Sequence, residues 1–194
     1  MDDAALVSGL IEHEDWALVA LAERYQGPLY GYLFRMTGDS YLAEDLTQET
    51  IVRAITGIRR LRQGSSLKAW LYRIASNLAK DHFKRASSVR ESPSDQVVAA
   101  LDGCSGSPGA ALAQGQRGTL PEEALEEKME AARVRAALAA LPDRHRDVLL
   151  LRYYEEMTIE EIAEITGAPA GTVKSRLHYA IRKLEGMLVE EEVG

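Results

Sequence analysis

The stretch IEEIAEITGAPAGTVKSRLHYAIRKLE, residues 159–185, decides how the rest of the chain is read. Ile159, Ile162, Ala163 and Ile165 recur at helical spacing and make the apolar side of a short helix. Gly167 stops that helix, and Pro169 near the start of the next sets its entry. Val173, Leu177, Ala180, Ile181, Leu184 and Leu188 then supply the buried side of a second helix. Two helices joined by a short turn containing glycine form a helix-turn-helix pattern. With Lys174 as origin, Gly171, Ser175, His178, Tyr179 and Arg182 all fall on one arc within about 140°. That arc gathers cations and hydrogen-bonding groups toward the N-terminal half, where a recognition helix meets base edges. Lys174 is placed to address guanine, and Thr172 and Ser175 to reach phosphate or bases. An αα-hairpin that binds no DNA shares the apolar spacing. Residues 168–184 nevertheless hold Lys174, Arg176, Arg182 and Lys183 with no acid, which favours DNA.

Outward from that stretch, strand patterns are nearly absent and helix periods rich in Ala, Leu, Glu and Arg dominate, so the chain reads as all-α. Residues 2–36 predict one or two helices interrupted near Gly27 and Pro28. A turn at 37–40 precedes a helix to about Arg60. Gly64, Ser65 and Ser66 form a turn whose serine caps a helix from Leu67 to about Ala86. Residues 87–120 lose all periodicity and fill with Ser, Gly, Pro and Ala, the composition of a flexible linker. Helices resume near Pro121 and continue as 143–154, 159–166 and 170–188. The expectation is two small helical domains, 1–88 and 121–194, on an acidic tether over 89–120. Either is small enough to need a partner for full stability.

Composition narrows the function classes. Apolar residues at 46% and charged ones at 27% are those of an ordinary globular chain. The longest aliphatic run, Val148 to Leu151, is far short of the roughly 20 residues that span a bilayer, so no membrane insertion is expected. The acidic opening MDDAALVSGLIEHED lacks the form of a secretory signal. A single cysteine, Cys104, excludes an intramolecular disulfide, and without clustered histidines no metal site or cofactor is expected. The chain therefore reads as soluble and cytoplasmic.

The net charge of −7 is segregated. Residues 1–52 carry ten acids against Arg24 and Arg35, whereas residues 53–90 carry ten bases against Asp81 alone. Two basic islands in an acidic chain mark two places to meet phosphate, although solvated basic faces have the same composition. In the first island Arg73, Asn77, Lys80 and Lys84 share a narrow polar stripe, opposite Trp70, Leu71, Ile74, Ala75 and Leu78 as the face to bury. Tyr72 and Phe83 flank the stripe. Bases, rings and one amide suit a single-stranded nucleic acid: cations neutralise phosphate, rings stack, and Asn77 reads a base edge.

Three segments in order resemble the extracytoplasmic-function group of bacterial RNA polymerase sigma factors. AEDLTQETIVRA (43–54) is similar to the family's polymerase-binding segment, and LKAWLYRIASNLAKDHFKR (67–85) to its element for melting and reading the −10 promoter region. LPDRHRDVLLLRYYEEMTIEEIAEITGAPAGTVKSRLHYAIRKL (141–184) is similar to its −35 reader. The resemblance implies a two-domain, all-α protein with no enzymatic activity, which binds core RNA polymerase and directs promoter-specific transcription initiation.

By position, the resemblance implies that Asp45, Gln48 and Glu49 contact the β′ clamp helices, with the β flap as a further polymerase contact. These three share one helix face at i, i+3 and i+4, a polar patch suited to a protein partner. It implies a pocket for an extruded −10 base at Asn77, with the turn Gly64-Ser65-Ser66 as its specificity loop. It also implies −35 contacts at Arg152, Gly171, Thr172, Lys174, Ser175 and Arg176. His178 and Arg182 join these from the exposed arc, although His178 and Tyr179 stand where the family varies. Relatives are often held inactive by an anti-sigma factor, and no segment of this sequence identifies one. The acidic linker resembles a connector that threads along the RNA path, and solvated disorder explains its composition equally well.

Three other classes compete. A conventional activator or repressor would use 121–194, but needs no aromatic-basic strand-separating helix in 43–85. An enzyme would need a phosphate loop, paired catalytic carboxylates or a nucleophile–base set, and none is legible. A pure interaction protein leaves two segregated basic arcs without a purpose. Cys104, in the linker, reads as a spectator thiol rather than a redox switch.

Overall fold

Each helix starts and stops where its local chemistry requires. The computed structural model describes residues 2–62, 65–90 and 132–190. Gly64, Cys104, Pro121 and nearly all of the expected linker lie outside the described residues. Helices α1 (Asp3–Ile11) and α2 (Asp15–Thr37) pack as a hairpin, with His13 at φ 60 in the connection. At Gly9 a Cβ would sit 2.5 Å from the Trp16 ring and 2.8 Å from the Ala17 Cβ, so any larger residue there would have to displace the Trp16 side chain. Asp39 caps α3 (Ser40–Gly57), accepting from the amides of Tyr41 at 2.9 Å and Leu42 at 3.1 Å. A 3-10 turn, Ile58–Arg60, leads toward α4 (Leu67–Arg90), where Ser66 Oγ accepts from the Ala69 amide at 3.2 Å as expected.

The break expected at Gly27 and Pro28 does not occur, since α2 runs straight through both. Proline removes one amide and crowds the residue before it, but Gly27 has no Cβ to clash. Both residues are exposed, so the freed carbonyl of the preceding turn is open to water. The stripe Tyr25, Leu29, Tyr32, Leu33 and Met36 stays buried across the site and holds the helix. The chain divides at 12–14 instead. Helix α4 also continues past Ala86 to Arg90, into residues the sequence assigns to the linker.

The second cluster comprises α5 (132–139), α6 (Asp143–Tyr153), α7 (Ile159–Thr166) and α8 (Ala170–Glu190). Thr158 and Glu161 close a reciprocal capping box at the head of α7. Gly167 at φ +66 takes the left-handed position that ends α7 and turns the chain into α8. Among the described residues there is no strand, and no helix is long and apolar enough to cross a membrane.

The two clusters pack directly on each other, with α2 against α6 and α4 against α7, and one apolar core runs through both. The seam is polar at its centre. Asp147 on α6 is 1% exposed and accepts from Tyr32 Oη at 2.7 Å, Ser76 Oγ at 2.8 Å and Lys80 Nζ at 2.8 Å. Tyr72 donates to Glu155, whose backbone carbonyl accepts from Lys68 Nζ at 2.7 Å. Arg146 reaches across to the Met36 carbonyl, and Arg35 lies 4.2 Å over the Tyr154 ring.

Candidate nucleic-acid interface

The outer face of α4 keeps its pattern only in part. Arg73 and Asn77 are exposed, and Lys84 is exposed 4.0 Å from Asp81. Ser65 is half-buried and Ser66 exposed at the head of the helix. Lys80 departs from the expected open stripe, because its ammonium pairs with buried Asp147 and only 23% of the side chain is exposed. Tyr72 is not a flanking ring for bases. It is fully buried, edge-on to Tyr32 at 5.3 Å, and burial together with Glu155 raises its phenol pKa far above the ordinary range. The cause in both cases is the second cluster, which covers the side of α4 where these residues point. Phe83 stays half-buried beside Lys80 and Lys84.

Trp70 and Ile74, expected as buried face, are half-buried and line a groove of about 490 Å³ with Arg53, Arg60, Arg73 and Asn77. Sequence reasoning did not single out Arg53 and Arg60. Both stand in the basic island, and only the turn of α3 into Ile58–Arg60 brings them to the foot of α4. Arg53 is tied to Glu49 at 2.6 Å, so Arg60 and Arg73 are the freer cations. The groove combines cations, an indole and an amide, the set that neutralises phosphate, stacks a base and reads its edge. On the next face of α3, Asp45, Gln48 and Glu49 are all exposed.

On α8, Gly171, Lys174, Ser175, His178 and Arg182 are exposed, with Thr172 and Arg176 half-buried. Ser175 Oγ donates to the Thr172 carbonyl at 3.0 Å, so its lone pairs remain available to a donor. Arg152 is exposed at the end of α6, and its guanidinium also donates to the Met157 carbonyl at 2.8 Å, tying down the loop before α7. The two basic faces meet. Asn77, Lys80, Thr172 and Arg176 line one groove of about 730 Å³ between the clusters. Among the described residues no group of His, Cys, Asp and Glu is arranged to hold a metal.

His145, at the start of α6, was not anticipated. Its ring lies 4.5 Å from that of Tyr179 and its Nδ1 is buried without a hydrogen-bond partner. Burial lowers its pKa from 6.5, and Arg176, Lys183 and Arg144 lower it further. The unfolded chain therefore takes up the proton first, so the stabilising effect of the neutral ring is complete above about 6.5 and fades as pH falls below it. Acidification from about pH 7.5 to about 5.5 should lower the urea midpoint more in the native chain than in His145→Gln. Equal decline in both would remove His145 as the cause.

Residues 21–89 match the family model for Sigma-70 region 2, and residues 137–185 that for Sigma-70, region 4. The ECF RNA polymerase sigma factor SigL of Mycobacterium tuberculosis is 35% identical over 96% of this chain and 97% of its own length. SigW of Bacillus subtilis, another ECF sigma factor, is 32% identical over 86% of this chain and 88% of its own. The sigma factor RpoE of Bartonella quintana, solved in complex with the anti-sigma factor NepR, superposes with TM-score 0.62 at 25% identity over 86% of this chain and 93% of its own. CnrH, solved with the cytosolic domain of CnrY, gives TM-score 0.68 over 97% of both chains at 21% identity, a likeness of fold. An α4 face that sets cations and an amide beside a groove, a helix-turn-helix with a cationic outer arc, and relatives aligned end to end converge. The chain belongs to the extracytoplasmic-function RNA polymerase sigma factors of the sigma-70 family, which bind core polymerase and direct promoter-specific transcription initiation.

Proposed function

We propose that α4 and α8 divide promoter reading between them. Arg73, Asn77, Lys80 and Lys84, with Ser65 and Ser66 at the helix head, take the −10 element. Arg152, Gly171, Thr172, Lys174, Ser175, Arg176, His178 and Arg182 take the −35 element. Asp45, Gln48 and Glu49 meet the polymerase clamp helices, and the second cluster meets the flap. The functional units are 1–88 and 121–194, with 89–120 as the acidic connector between them. In this reading the chain supplies specificity and performs no catalytic step of its own, and it works in the cytoplasm alongside the polymerase. The likeness to a Bartonella factor solved with its anti-sigma factor supports a partner of that kind here.

The observation that supports this division most is the position of Asn77, exposed on α4 beside a groove that also holds Arg60, Arg73 and Trp70. A nucleotide taken out of the stack needs its phosphate met by cations, its base face by an indole and its base edge by an amide. Because Asn77 is exposed, Asn77→Ala should leave stability within about 0.5 kcal/mol of the native value. The same change should alter the ranking of −10 variants in transcription by core polymerase over a promoter library. An unchanged ranking would strip Asn77 of this role.

A further inference from the structure

Asp147 has an unusual set of partners. It is buried in the −35-reading cluster, yet Tyr32 and Ser76, its hydrogen-bond donors, and Lys80, its ion-pair partner, all come from α2 and α4 of the −10-reading cluster. Glu155 repeats the pattern with Tyr72 and Lys68. A carboxylate satisfied wholly from across a seam contributes to closure of the seam rather than to its own cluster's fold. A buried ion pair is also a reversible fastener. Its attraction is largely offset by desolvation, and both groups regain water when it opens.

The closed arrangement conflicts with the geometry of the DNA. Elements centred at −10 and −35 lie about 25 base pairs apart, or roughly 85 Å along the duplex at about 3.4 Å per base pair. In the protein, Asn77 and Thr172 border one groove of about 730 Å³. No single duplex can present both elements to faces that share a groove. Lys80 meets the same conflict chemically, since one ammonium cannot remain paired with Asp147 and neutralise a promoter phosphate.

We propose that Asp147 is a latch: with Tyr32, Ser76 and Lys80 it holds the two reading units closed, and this cluster must break before both promoter elements are engaged. The proposal rests on the assignment of α4 and α8 to the two elements. Opening is a rigid-body separation of two preformed units, and the competent fraction multiplies the affinity for anything that binds only the open form.

The test uses the full chain with Cys104→Ser and dye-labelled cysteines at Gln26 and Glu185, both exposed and on opposite units. Single-molecule energy transfer should find the free chain mostly compact. Asp147→Ala should raise the open fraction fivefold or more. Tyr32→Phe, which removes one donor and touches no DNA-reading residue, should raise it less. The double variant should fall short of the product of the two effects, because both act on one cluster. Helicity by circular dichroism should be unchanged, and half-saturation of core polymerase should move to lower protein concentration in proportion to the open fraction. Unchanged transfer distributions, or opening accompanied by loss of helicity, overturn the latch. So does opening that leaves polymerase half-saturation where it was. The transfer measurement needs no polymerase, so absence of transcription with every variant, the unaltered chain included, would instead strike the promoter-reading assignment.

Discussion

Arg146→Ala is expected to destabilise the chain by about 3 kcal/mol or more, read as a fall in urea midpoint followed by circular dichroism. The guanidinium is 7% exposed and donates to four main-chain carbonyls. Leu138 at 2.8 Å, Ala139 at 2.8 Å and Leu141 at 2.9 Å belong to the end of α5 and the turn after it, and Met36 lies in the last turn of α2. Helix ends leave carbonyls without amide partners and carry partial negative charge, so one cation between two such ends satisfies both needs. Burial lowers the Arg146 pKa, and Asp143 at 3.7 Å opposes that shift. Alanine would leave those oxygens facing a cavity. Lysine, a single point charge without the planar fork, should recover only part of the loss. A midpoint unchanged in Arg146→Ala would show that water replaces the guanidinium at no cost.

Lys174→Ala is expected to weaken open-complex formation by about 1–3 kcal/mol, or about 5- to 150-fold, on promoters that depend on their −35 element. Lys174 is exposed in the first turns of α8 and engages no acid among the described residues, so stability should not move. Two readouts separate its possible contacts. A lysine that reads guanine loses its effect once the −35 bases are replaced. A lysine that meets only phosphate weakens every promoter alike and lowers the salt slope by about one. Loss of activity that tracks loss of helicity would make Lys174 structural.

Much of this molecule was legible in its residues because the relevant physics is local. The apolar period of 159–188, the glycine after Thr166 and Pro169 at the entry to the next helix specify the helix-turn-helix without reference to the rest of the chain. The Arg73–Asn77 face and the arc led by Lys174 follow from the same period, and both are exposed. Local rules misread Gly27-Pro28, where the apolar stripe on the other side of α2 outweighs the breaker. They also misread Tyr72 and Lys80, whose helical positions were correct and whose surroundings were not. Arg146 and Asp147, charged residues leading into an aliphatic run, drew no notice because nothing within reach along the chain engages Asp147.

The sequence by itself determined the helical class, most of the polar and apolar faces away from the seam, and the family, since these depend mainly on residues within a turn or two of one another. Only the tertiary structure decided that the two clusters close on a shared carboxylate. Asp147 finds Tyr32 across 115 positions and Ser76 across 71, and no periodicity reports a partner at that range. A buried charge is stable only where opposite charge and donors converge in space, and convergence in space is a property of the folded chain.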